Sequence, residues 1–135
     1  MGSPLPLDGA LVVDKPAGMT SHDVVATVRR ALGGAKVGHT GTLDPLATGV
    51  LPLLVGRATR LAQFLAGSPK SYDAQVRIGW ATTTYDSAGE PTTGVAIAAV
   101  KPDAIHAALE GFRGAFDQRP PAFSAKKVDG RRRAS

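Results

Sequence analysis

The sequence predicts an α+β fold, because segments with helical spacing and segments with strand spacing both occur in one short chain. Apolar residues recur every three or four positions after Thr20 and after Pro102, as on one face of a helix. Residues 71–78 alternate apolar and polar side chains, as in a half-buried strand. With 135 residues, 43% of them hydrophobic, the chain suffices for one globular domain and not for two sizeable cores.

Turn and capping residues show where the first predicted strand ends and where the first predicted helix begins and ends. An apolar run at residues 10–13 is closed by a turn beginning at Asp14, and residues 20–23 resemble a capping box with Thr20 at the cap. Gly33 and Gly34 would end the helix. Its predicted apolar face consists of Val24, Val25, Val28, Ala31 and Leu32.

The middle of the chain predicts a long loop, a strand and a short helix. Residues 36–49 follow neither period, and irregular loops of that length inside a compact domain are often functional. Residues 50–55 form an apolar run, but Pro52 would confine that strand to a sheet edge or a bulge. Residues 57–65 have the spacing of a short helix.

The second half predicts fewer regular elements. Residues 82–94 are rich in threonine, glycine and proline and indicate a turn or loop, followed by a weak apolar run at residues 95–100. Pro102 opens a helix whose apolar positions extend to Phe112, with Gly114 at its end.

Composition favours a basic protein of a reducing compartment. Sixteen lysines and arginines oppose 11 acidic residues, giving a formal charge of +5 and a pI near 10.0, so attraction to a polyanion is plausible. There are no cysteines, which excludes disulfides and thiolate zinc sites. No apolar stretch reaches the ~18 residues of a membrane span. We therefore expect a cytoplasmic protein.

The end of the chain is basic. It either holds phosphates or is a solvated tail, and its basic residues are Lys126, Lys127, Arg131, Arg132 and Arg133.

Candidate chemistry is densest at residues 38–45. Asp44 is the only carboxylate between Asp23 and Asp73, and in a glycine-flanked loop it could be a nucleophile, a general base or a turn-forming residue. His39 could be a general acid or base, or a packed loop histidine. Since His39 has no obvious second ligand nearby, the loop does not predict a metal site.

Two further features suggest contact with RNA. Tyr72 could stack on a base or belong to the core. The tetrapeptide at residues 38–41 fits the GxxG loop of a KH domain, a non-catalytic RNA-binding module. That match covers four residues, and a KH loop expects an apolar residue where Asp44 stands.

A specific resemblance covers nearly the whole chain. Residues 38–49 read GHTGTLDPLATG, residues 50–65 continue with VLPLLVGRATRLAQFL, and residues 14–25 read DKPAGMTSHDVV. These segments resemble motifs of the bacterial tRNA pseudouridine synthase B family, and residues 14–25 resemble the first of them. Further matches in the family's order are Lys70, Tyr72, Ala74, Gly79, Thr82, Thr84, Asp86, Gly89, Gln118, Pro120, Pro121, Ser124, Ala125, Lys127 and Gly130.

The resemblance implies a pseudouridine synthase catalytic core, a mixed and mostly antiparallel sheet with flanking helices. It implies isomerisation of uridine-55 in the T loop of tRNA, by a monomer without metal or organic cofactor. Asp44 would be the nucleophile, Tyr72 would stack on the flipped uracil, and His39 would occupy or order the vacated position. Lys15 and Thr42 would line the same pocket. Whether the carboxylate attacks base or sugar stays open.

The chain also departs from the family pattern. Phe123 replaces a usual tyrosine, and Arg133-Ala134 replaces an apolar–tyrosine pair. Residues 1–135 resemble only the amino-terminal part of the catalytic domain, without the later strand whose arginine pairs with the nucleophile and without a small RNA-binding domain. An inactive truncated relative that only binds RNA is therefore an alternative. Guide-dependent relatives share the aspartate loop, so ribosomal RNA is an alternative substrate.

Overall fold

The structure is a computed structural model that describes residues 7–94, 100–117, 124–128 and 131–133. It contains two compact units, Met1–Tyr72 and Asp73–Ser135, which are described separately. Antiparallel sheets and α-helices occur together in the described residues, which confirms the predicted α+β class. Of the helices in these ranges, none has the length and apolar character needed to cross a membrane.

The first unit is built on a three-stranded antiparallel sheet. Strands β1 (Gly9–Lys15), β2 (Val37–His39) and β3 (Gly49–Val55) lie in the order β1-β3-β2. Lys15 pairs with Gly49 at one end of the sheet, and Gly9 pairs with Val55 at the other. The predicted strands at residues 10–13 and 50–55 are confirmed. The predicted loop at residues 36–49 is shorter, because β2 occupies three of its residues.

Pro52 does not place β3 at the sheet edge, so that prediction was wrong. Pro52 faces Val12 of β1, while its carbonyl accepts a hydrogen bond from the Thr40 amide (3.2 Å), one residue beyond the end of β2. The N and C=O of one strand residue point to the same side. The missing donor of Pro52 therefore faces the side where β2 has ended, and no bond to β1 is lost.

Helix α1 (Ser21–Ala31) packs against this sheet, and the predicted capping box is confirmed. The Thr20 hydroxyl accepts from the Asp23 amide (3.1 Å), and the Asp23 carboxylate accepts from the Thr20 amide (2.8 Å). Gly33 and Gly34 have positive φ, and the Gly34 amide donates to the Arg29 carbonyl (2.9 Å), which ends the helix as predicted. The core comprises Val24, Val25, Val37, Leu43, Leu51, Leu53 and Val55.

The helix predicted at residues 57–65 forms in two pieces. A 3₁₀ helix (Gly56–Leu61) leads into a single turn of α-helix, α2 (Ala62–Leu65). Leu61 and Leu65 remain exposed, so the apolar spacing does not correspond to a buried face here.

The second unit contains two small antiparallel sheets and one helix among its described residues. Strands β4 (Trp80–Thr82) and β5 (Pro91–Gly94) pair with each other. The loop predicted at residues 82–94 is therefore shorter, because its first residue and its last four belong to strands. Helix α3 (Pro102–Glu110) begins at Pro102 as predicted. The basic end, predicted as a phosphate site or a tail, forms β6 (Ser124–Val128) and β7 (Arg131–Arg133). The predicted apolar run lies outside the described residues except for Val100.

The strand predicted at residues 71–78 is absent, so this prediction was wrong. The segment is irregular and exposed, with Val76 at 81% of full exposure. Alternation identifies which side chains would share a face, but a strand also requires a neighbouring strand for its backbone hydrogen bonds. Among the strands the structure describes, none pairs with this segment.

Candidate active site

Asp44 lies on the connection between β2 and β3, which we call the Asp44 loop (residues 40–48). Its side chain is exposed, and its carbonyl accepts from the Ala47 amide (3.1 Å), as in a tight turn. Within the described ranges, no lysine, arginine or histidine side chain forms an ion pair with its carboxylate. The carboxylate is therefore accessible to a ligand.

Ser21, at the start of α1, holds the residue that precedes Asp44. The Leu43 amide donates to the Ser21 hydroxyl oxygen (2.9 Å), and the hydroxyl donates to the Leu43 carbonyl (3.3 Å). Ser21 is 1% exposed and Leu43 is 8% exposed. Both peptide groups of Leu43 are thus satisfied by one buried side chain.

Lys15 holds the residue that follows Asp44. The Pro45 carbonyl accepts from the Gly18 amide (2.8 Å) and from the Lys15 ammonium (3.2 Å). Lys15 is fully buried, and its other two bonds go to the carbonyls of Pro16 (2.9 Å) and Met19 (2.7 Å). All three ammonium donors have acceptors, so the buried charge is solvated by carbonyl dipoles. Lys15 lies outside the cavity described next, and its substrate contact stays a prediction.

A cavity of about 540 Å³ adjoins the loop in the first unit. This size falls in the range of small-molecule pockets. Tyr72 lines it with 61% of its surface exposed, so the core interpretation of Tyr72 does not hold in this structure. Asp44, His39 and Thr42 are not among the lining residues. Those are Thr40, Leu43, Thr48, Gly49, Val50, Pro52, Leu65, Ser68, Pro69, Lys70, Ser71 and Tyr72.

His39 ends β2 and contacts His22 of α1. The two rings meet edge to face, with centroids 5.3 Å apart. Burial lowers the pKa of His39 from its ordinary value, and the proximity of His22 lowers it further. His39 is therefore neutral at pH 7. Its Nδ1 atom is buried and lacks a hydrogen-bond partner among the described residues.

The remaining predicted site residues lie in different places. Thr42 is exposed on the Asp44 loop. Lys126 and Lys127 belong to β6, and Arg131 and Arg132 belong to β7, all in the second unit. In the described part of the chain, histidine, aspartate and glutamate side chains form no group of three or more that could hold a metal ion.

Sequence reasoning missed Ser21 and Gly18 as neighbours of the Asp44 loop, and His22 as a neighbour of His39. The pattern at residues 20–23 predicts a capping box and assigns no function to Ser21. A buried serine at the first helical position has no periodic signal, and its partner Leu43 is 22 positions away. Only the fold brings them together.

Comparison with known proteins establishes the family. Residues 29–135 match the family described as TruB family pseudouridylate synthase (N terminal domain), and the chain belongs to this family. It is 59% identical over 126 residues to a tRNA pseudouridine synthase B of Solibacter usitatus, covering 93% of this chain and 43% of that protein. It is 51% identical over 132 residues to one of Corynebacterium aurimucosum, covering 98% of this chain and 44% of that protein.

The chain spans less than half the length of these curated relatives. A solved structure of an H/ACA ribonucleoprotein, bound to a substrate RNA containing 2′-deoxyuridine, also matches. The match is 51% identical, covers 42% of this chain and 18% of that one, and has a TM-score of 0.41. That score is too low to establish a shared fold.

Proposed function

We propose that residues 1–135 form the amino-terminal part of the catalytic domain of a tRNA pseudouridine synthase, which isomerises uridine-55 in the T loop of tRNA. Family membership and the names of the relatives support the reaction class. The observation that carries the proposal is an accessible Asp44 on a loop whose backbone is fixed on both sides. The substrate partner would be the T arm of tRNA, in the cytoplasm.

The reaction needs a nucleophile and no external reagent. The bond from C1′ to N1 of uracil breaks, the base rotates, and a bond from C1′ to C5 forms. The proton on C5 is lost and N1 gains one, so substrate and product are isomers. A covalent adduct with the Asp44 carboxylate would divide this exchange into easier steps.

The neighbouring residues have separate proposed roles. A base stacked inside the T loop must leave the stack before its bonds can be exchanged, and flipping costs a few kcal/mol. Tyr72 would receive the flipped uracil on its exposed ring, since it lines the cavity next to the loop. His39 would order the vacated position. Thr42 and Lys15 do not line the cavity, and their contact with the substrate stays a prediction.

The basic side chains of the second unit would contact the RNA backbone. Phosphate contacts require little more than a nearby cation, and they contribute affinity without base specificity. The proposed contacts are Lys126, Lys127, Arg131 and Arg132.

The proposal is tested by Asp44→Asn in a chimaera, in which this chain replaces the matching part of the Solibacter usitatus relative. We expect pseudouridine formation to fall by more than about 10³-fold, because the amide is a poor nucleophile. Affinity for T-arm RNA should change only a few-fold. Turnover is measured by tritium release from 5-tritiated uridine, and affinity by filter binding.

Asp103→Asn is the matched control, because Asp103 is an exposed carboxylate on α3 with no proposed role. It should leave both quantities unchanged. Turnover by Asp44→Asn above a few per cent of the parent would exclude Asp44 as nucleophile. Product mapped to a position other than uridine-55 would contradict the proposed specificity.

A further inference from the structure

We propose that Ser21 is a positioning residue for Asp44, acting through both peptide groups of Leu43. The inference rests on the proposed function of Asp44 as nucleophile. Ser21 lies in the capping box and in the motif at residues 14–25, neither of which gives it a role in the reaction. Its assignment comes from two hydrogen bonds of 2.9 and 3.3 Å to the residue before the nucleophile.

The two bonds control the backbone that leads into Asp44. The Leu43 carbonyl belongs to the peptide plane that also contains the Asp44 amide, so fixing this carbonyl fixes one side of the Asp44 Cα. The Leu43 amide belongs to the preceding peptide plane. A serine hydroxyl has one donor and can accept as well, so it satisfies both groups at once.

The contacts after Asp44 complete the arrangement. The Pro45 carbonyl is held by the Gly18 amide and by the buried Lys15 ammonium. Asp44 therefore lies between two anchored neighbours, while its own side chain remains exposed. Since the carboxylate has no ion-pair partner in the part of the chain that the structure describes, the anchored neighbours set the direction of the Asp44 Cα–Cβ bond.

Packing alone would not set this direction. The Leu43 side chain is in the core, which fixes the depth of the loop. An apolar contact is not directional, whereas a peptide plane can rotate unless its polar groups are bonded. A displacement of about 1 Å at a reacting group can cost about 10²-fold in rate. Removal of the Ser21 hydroxyl should therefore lower kcat more than it changes KM.

The experiment compares Ser21→Ala with Val28→Ala in the chimaera defined above. Val28 lies on the same helix and packs against the core, so its truncation lowers stability while the two hydrogen bonds of Ser21 to Leu43 remain. We expect kcat of Ser21→Ala to fall about 10²-fold at a temperature where both variants are folded, with KM for T-arm RNA changed only a few-fold. Val28→Ala should retain the parent kcat.

Amide exchange in the 135-residue chain provides a readout independent of activity. The Leu43 amide should exchange at least ten-fold faster in Ser21→Ala than in the parent, while the Leu53 amide should not change. Equal kcat for Ser21→Ala and the parent, with Asp44→Asn inactive, would overturn the inference and leave the proposed function intact. An inactive chimaera would count against the proposed function, and unchanged Leu43 exchange would then overturn the inference separately.

Discussion

At Asp44, the chemistry and its structural support come from different parts of the sequence. The carboxylate was identifiable as a candidate because no other acid lies between Asp23 and Asp73. The residues that hold its backbone were not identifiable, since Ser21 and Lys15 lie 22 and 30 positions from their partners in the loop. Lys15 illustrates the limit, because its substrate contact is implied by the family resemblance alone, and no sequence pattern indicates that its ammonium is fully buried among carbonyls.

Tyr72 gives a prediction at the residue scale. In the chimaera, Tyr72→Phe should retain activity within about three-fold and Tyr72→Leu should lose about 10- to 100-fold, because base stacking contributes ~1–3 kcal/mol. Since Tyr72 is 61% exposed, neither change should lower the thermal midpoint appreciably. Tyr85→Leu, at an exposed tyrosine of the second unit, is the control. If both Tyr72 variants lose folding stability equally, Tyr72 is a core residue and the stacking role is wrong.

Among elements, those with local signals were predictable and those with distant partners were not. Helix α1 was predicted from its cap to its terminal glycines, because its first and last hydrogen bonds involve residues within five positions. The strand prediction at residues 71–78 was wrong because alternation of side chains does not specify a neighbouring strand. Strand β2 was missed because three residues are too few for a period to be visible.

The capping box of α1 gives a prediction at the element scale. Thr20→Ala should cost about 1 kcal/mol of unfolding free energy, since the Asp23 amide loses its side-chain acceptor and keeps only the Thr20 carbonyl (3.1 Å). Thr27→Ala, a hydroxyl further along the same helix, should cost less. Thermal unfolding followed by circular dichroism measures both, and equal midpoints for the two variants would contradict the role of the cap.

The same box predicts a pH dependence. The Thr20 hydroxyl, and after it the Thr20 amide, lower the pKa of Asp23 below 3.8. The stability that Asp23 contributes is therefore present above its unfolded pKa of about 3.9 and is lost as the pH falls through the lower folded pKa. The difference in thermal midpoint between parent and Asp23→Asn should persist from pH 7 to about 5 and shrink as the pH falls below about 3.9. A difference that grows in acid would contradict this assignment.

At the scale of the whole molecule, net charge bears on association with a polyanion, whereas family membership bears on the class of reaction. The formal charge of +5 suggested a polyanionic partner, but charge alone carries no information on fold. Family membership was recognisable in the motif at residues 38–49, a loop with little regular structure. Ser21, Gly18 and Lys15 bond backbone groups on both sides of Asp44, so the backbone there is fixed although the loop has little regular structure.

The 135-residue chain alone should bind T-arm RNA weakly and should not isomerise it. Its basic residues can contact phosphates individually, whereas an ionised aspartate in a dry site needs a placed counter-charge. Asp44 is exposed and has no ion-pair partner in the described ranges. Affinity should fall with added salt, with a log–log slope near 0.9 per duplex phosphate contacted. Converting Lys126, Lys127, Arg131 and Arg132 to glutamine should reduce that slope, while Asp44→Asn should not. Several turnovers of pseudouridine per purified chain would show that the exposed carboxylate needs no further counter-charge, and this account of the site would be wrong.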